Sequence, residues 1–198
     1  MTSSLHLAEP TAHSRGSRPD LDEAARAAAA FLRALGVDVD EPGTRRSPAR
    51  MARAYAAMLT PEPFDLTTFD NDEGYDEMVL VRSVPVRSLC EHHFLPFTGV
   101  AHVAYLPGDR ILGLSKIARV VQLFSRRPQV QERLTQQVAG WLDEELAPRG
   151  VGVVVEAEHS CMSLRGVRVD GAVTRTCALR GAMRDPATRA EFLSLVAG

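Results

Sequence analysis

The chain has 198 residues, 45% hydrophobic and 24% charged, which is long enough for one ordinary domain with a real core and excludes a disordered polymer. Its 23 basic and 25 acidic side chains leave a formal charge of −2, so no global basic field points to nucleic acid or an anionic membrane. No apolar run is long enough to span a bilayer, no secretory layout opens the chain, and Cys90, Cys161 and Cys177 are too scattered for a disulfide framework, which together predict a cytoplasmic protein with reduced thiols.

Residues 1–18, rich in Ser, Thr, His and Pro, predict a mobile tail. Residues 19–198 are expected to form a single domain, with a helical part over 19–60 and a catalytic part over 77–198. Asp20 and Glu23 make a capping box ahead of Leu21, Ala28, Phe31, Leu32 and Leu35 at helical spacing, and Gly36 ends that helix. A second helix opens at Ser47-Pro48 and stops at Thr60-Pro61. Strand character follows at 78–81, 84–86 and 99–106, then helices at 115–124 and 130–146 separated by Pro128. Strands are expected over 151–157 and 167–178, and a short helix from Pro186. The pattern is α+β, an antiparallel sheet with two consecutive helices and an N-terminal helical extension.

Cys90-Glu91-His92-His93 and His159-Ser160-Cys161 each sit at a predicted strand end. Two thiolates and an imidazole suit zinc, and Cys-x-x-His spacing lets one turn present Cys90 and His93 to one ion, with Cys161 closing the site from a distant strand. Three protein ligands leave a position for water, whereas a structural site is normally closed by four. His92 and His159 lie beside these ligands in sequence, where they suit proton transfer. A four-ligand structural site recruiting His92 or His159 is the alternative, and Cys161 alone reads as a small buried hydrophobe, as free Cys usually is. Cys177 reads as core and His102 as an ordinary strand residue.

Ser115-Lys116 opens a helix, whose free N–H groups favour an anion, and Arg119 shares a face with Lys116. Arg165 follows Cys161 by four residues, and Arg50 lies on the second helix; each of these cations alone reads as a solvated surface charge. Glu132, at the start of the next helix, can accept two hydrogen bonds from the N1–H and 2-amino group of guanine, donors that adenine lacks. Taken singly, it is also an ordinary first-turn carboxylate complementing the helix dipole.

The strings Ser88-Leu89-Cys90-Glu91-His92-His93, Gly113-Leu114-Ser115-Lys116, Arg127-Pro128-Gln129-Val130-Gln131-Glu132-Arg133-Leu134-Thr135 and His159-Ser160-Cys161 with Arg165-Gly166 together resemble GTP cyclohydrolase I, from about residue 20 to the C-terminus. The resemblance implies Zn2+ on Cys90, His93 and Cys161, with His92 and His159 transferring protons. It implies Glu132 and Gln131 on the guanine, Ser115 near the ribose, and Lys116, Arg119, Arg165 and Arg50 on the triphosphate of GTP. The implied reaction gives 7,8-dihydroneopterin triphosphate and formate, the first step of folate and pterin biosynthesis. The implied architecture is the tunnelling fold, whose barrel closes by oligomerisation, here a homodecamer of two pentamers with active sites between subunits. Val173, Arg175 and Cys177 depart from a run of small hydroxyl residues usual in the family, which bears on the subunit interface. A paralogue of the same fold acting on another pterin or deazapurine, and a scaffold holding zinc only for folding, are the rival readings.

Overall fold

Two helices make up the first of two compact units, which closes at Thr60. The structure is a computed structural model that describes residues 4–5 and 18–198; apart from Ser4, Leu5 and Arg18, the tail predicted over 1–18 lies outside the described residues. Helix α1 (Leu21–Ala34) starts at Asp20, whose carboxylate accepts the Glu23 N–H at 2.9 Å. Glu23 directs its own carboxylate to Arg26, 2.6 Å away, so an ion pair takes the place of the second arm of the expected box. At the other end Gly36 turns to φ 82°, and the N–H of Val37 reaches back to Leu32 O at 3.0 Å, a Schellman closure. Helix α2 (Ser47–Leu59) carries Pro48 in its first turn, where a missing N–H costs nothing.

The second unit holds Pro61–Gly198 together with Ser4 and Leu5. In chain order its elements are β1 (Ser4–Leu5), β2 (Leu66–Asp70), β3 (Val79–Cys90), β4 (Pro96–Leu106), β5 (Arg110–Leu112), α3 (Leu114–Ser125), β6 (Pro128–Gln129), α4 (Gln131–Leu146), β7 (Gly150–His159), α5 (Ser160–Ser163), β8 (Val173–Gly181) and α6 (Pro186–Ala197). The main sheet runs β6-β3-β4-β7-β8, antiparallel throughout except for the parallel β3–β6 pair. A small second sheet joins β1, β2 and β5.

Strand alternation sorts the main sheet into two faces. Val86, Ala101, Val103, Val153 and Val155 meet Ile117, Val121, Leu134 and Val138 of α3 and α4 in the larger core. Ile117 and Leu134 are 0% exposed, so each contributes about 1.5–3 kcal/mol by leaving water. On the opposite face α6 lays Phe192 and Val196 over Ala104, Val154 and Met183. The result is an α+β subunit compatible with the tunnelling fold. Among the described residues no helix is long and apolar enough to cross a membrane.

Strands β3 and β7 extend beyond the predicted segments to end on Cys90 and His159. Strand β8 begins at Val173 rather than at 167, because Gly166, Arg168 and Gly171 take φ of 61°, 51° and 73° and fold the preceding residues into turns. Cys177 is exposed, not core: its register partner is Val154, on the face away from α3 and α4, and the core position beside it belongs to Ala178.

Candidate active site

Sheet order brings the sequence-distant segments to one end. Leu89 and Cys90 pair in parallel with Pro128 and Gln129, and the Glu91 N–H bonds Gln129 O at 3.0 Å. The start of α4, Gln131 and Glu132, is thereby delivered beside the Cys90 turn. Strand β4 separates β3 from β7, and its first residues pair Phe97 with His159. The short helix α5 then turns the chain so that Cys161 comes back to Cys90.

The turn after β3 is tight: the N–H groups of His93 and Phe94 both reach Cys90 O, at 3.3 and 2.8 Å, and Phe94 adopts φ 52° to close it. Cys90, His93 and Cys161 offer ligand atoms within 4.8 Å of one another. Cys90 Sγ lies 3.9 Å from Cys161 Sγ and 3.7 Å from His93 Nδ1. Tetrahedral zinc with ordinary bond lengths requires separations of about 3.8 Å for S···S and 3.6 Å for S···N, so the donors fit such an ion. Burial and the adjoining Cys90 push the Cys161 thiol up, while Arg165 pulls it the other way, which also places the Arg165 charge near the cluster. A bound cation would reverse that balance by favouring both thiolates.

His92 Nδ1 lies 3.9 Å from Cys90 Sγ, yet its ring stands nearly perpendicular to that of His93, with centroids 6.4 Å apart. His159 is held on two sides. Phe97 stacks on its ring at 4.6 Å and 11°, and Nε2 lies 2.8 Å from Gln131 Oε1. Burial lowers the His159 pKa, and the Glu132 carboxylate acts in the opposite direction, so Glu132 shares the neighbourhood. Glu132 itself is exposed in the first turn of α4. Gln131 differs from expectation: it is 1% exposed, and every polar atom of its amide is already engaged within the chain.

The cations are spread more widely. Ser115 and Lys116 occupy the first turn of α3, behind Gly113. Arg119 lies 3.7 Å from Glu62, which also binds Arg126 at 2.7 Å. Arg50 is exposed on α2, in the helical unit.

The profile of the GTP cyclohydrolase I family matches residues 24–197. The chain belongs to the GTP cyclohydrolase I family. A protein of Streptomyces griseus named GTP cyclohydrolase 1 is 54% identical over 193 residues, spanning 94% of this chain and 96% of that protein. One of Aquifex aeolicus bearing the same name is 49% identical, over 90% and 98%, and one of Mycobacteroides abscessus 52% identical, over 98% of each.

Around this candidate site several supporting side chains carry little signal in the sequence. Arg133 binds the Glu91 carboxylate and, at 2.9 Å, Gln129 Oε1, tying the Cys90 turn to α4. That pairing lowers the Glu91 pKa. Phe97 carried no local signal beyond strand alternation, and Thr176 was lost among neighbours that face the other way. Arg133 stood inside the diagnostic string, two residues from Gln131, where its role was open to inspection.

Proposed function

We propose that Cys90, His93 and Cys161 hold Zn2+ at the centre of an enzyme that converts GTP to 7,8-dihydroneopterin triphosphate and formate, the first step of pterin and folate synthesis. The observation that carries the metal assignment is the three-donor cluster, whose separations suit zinc and which includes no fourth protein donor among the described residues. Zinc, when bound, supplies the Lewis acidity that makes water a nucleophile near neutral pH.

The chain's own residues do the rest. His159, held neutral by burial, takes a proton from the attacking water and passes it to the imidazole nitrogen of guanine as C8 is hydrated. A second hydration releases formate, and His92 assists opening of the ribose before rearrangement and ring closure. Glu132 accepts the N1–H and 2-amino donors of guanine. Ser115 serves the ribose, and Lys116, Arg119, Arg165 and Arg50 serve the triphosphate through charge-assisted bonds. Residues 19–198 act as one functional domain, in a homodecamer whose barrel is closed by neighbouring sheets. The edge of β8, unpaired among the described residues, and the exposed Phe31 and Leu35 of α1 support association. Three free cysteines, two of them in the metal cluster, support a reducing, cytoplasmic setting.

The test is zinc-loaded protein incubated with GTP, ITP or ATP, reading formate and pterin fluorescence after oxidation. GTP should give both products, ITP less, and ATP none. Glu132→Gln places a donor against a donor of the base, an unsatisfied pair costing about 1–3 kcal/mol, so GTP should bind roughly tenfold more weakly. Formate from ATP, or unchanged purine preference in Glu132→Gln, would remove Glu132 from the base. No formate from GTP would point to a paralogous reaction.

A further inference from the structure

Gln131 sits at the first position of α4, sealed beneath β7 and β8. Its amide nitrogen lies 3.0 Å from Val155 O and 2.9 Å from Thr174 O. Carbonyl oxygens only accept, so both amide hydrogens are committed to them and the orientation of the group is forced. The surrounding hydroxyls agree. Thr135 donates to Gln131 O at 2.8 Å, so in the 2.6 Å contact between Thr135 and Thr176 the donor is Thr176. The Thr176 oxygen, 3.2 Å from the amide nitrogen, then turns a lone pair toward it and shares one of those two hydrogens.

Gln131 Oε1 is an acceptor, and its partner is His159 Nε2 at 2.8 Å, so that ring nitrogen must carry the hydrogen. Nδ1 has no hydrogen-bond partner among the described residues and is not one of the sealed unpaired atoms. Phe97 fixes the plane of the same ring from one face.

We propose that Gln131 is a positioning residue that locks His159 as its Nε2–H tautomer and leaves Nδ1 as the atom that handles the proton. A glutamine reading the guanine needs a free amide edge; this one has none. Gln131 therefore acts on the reaction through His159, as an outer partner orients a ring that does chemistry. The inference rests on the reading of His159 as proton carrier, whereas the tautomer itself can be measured independently of any activity.

The experiment uses full-length, zinc-loaded protein labelled with 15N-histidine and solid-state 15N spectra, with the His159 signals identified by their loss in His159→Asn. The wild type should show a protonated Nε2 and a bare Nδ1. Gln131→Met, similar in length and without an acceptor, should release the ring to a mixture of tautomers. Its kcat should fall on the order of 10–100-fold, with GTP affinity and zinc content unchanged. A wild-type ring protonated at Nδ1 instead of Nε2 overturns the proposal, and needs no variant to fold. So does a Gln131→Met enzyme that keeps kcat and loses GTP affinity, which would return Gln131 to the guanine. Absence of formate from GTP in the wild type would defeat the reaction reading while the spectrum still decides the tautomer.

Discussion

His102, in the middle of β4, is 4% exposed, and its Nδ1 is buried with no hydrogen-bond partner among the described residues. Burial lowers its pKa from the ordinary value; Glu156, 3.9 Å away, opposes this, and the charges of Arg82 and Arg175 reinforce it. The folded chain thus keeps the ring neutral at pH values where the unfolded chain has begun to bind a proton. The sign is that of a depressed group: stability is full above the unfolded pKa of about 6.5 and is lost as pH falls below it. The Tm of the wild type should therefore drop more steeply from pH 7.5 to pH 5.5 than that of His102→Asn, as read by calorimetry at matched zinc content. Equal slopes would show that His102 binds its proton equally in both states. At this scale the sequence was an uneven guide. That Cys90 and His93 share one turn was legible in their spacing. The inward turn of Gln131 was not, because its partners Val155 and Thr174 lie on strands far along the chain.

Elements are where the chain's pattern was most readable, and where its failures have plain causes. The two helices α3 and α4 were legible from apolar spacing on either side of Pro128, since a proline there interrupts any continuous ladder. Strand β8 was read six residues too early, as its approach is rich in Val and Arg but bends at three positive-φ positions. The hydroxyl pattern shows why the face matters: Thr176 turns toward Gln131, while Arg175 pairs with Glu156 at 3.2 Å on the opposite face. The departures Val173, Arg175 and Cys177 therefore leave the network around His159 untouched. Gly99 illustrates a constraint that no pattern reveals. A Cβ there would stand 1.9 Å from Glu156 O, so β4 and β7 approach closely only because this position lacks a side chain. That approach sets Phe97 against His159 two residues along.

The main sheet ends in β8, nine residues with one unpaired edge among the described residues, and long strands of this kind are normally covered. Light scattering of the purified protein should report a decamer, ten chains of 21.6 kDa each. A monomer with full activity would contradict the proposed barrel closed by neighbouring sheets and the placement of active sites between subunits. The family itself was legible from widely separated strings because they occur in one order along the chain, and sheet topology explains the order: β3, α4 and β7 converge at one end. The proposed function has the Cys90–His93–Cys161 cluster hold the metal on which GTP opening depends. Its most direct measurement is a titration of zinc into metal-stripped protein while formate release from GTP is followed. The wild type should gain activity in proportion to zinc up to about one equivalent per chain, as a single three-donor site requires, and Cys161→Ser should gain none at the same occupancy range. Full formate release from metal-stripped protein, or from Cys161→Ser, would contradict it.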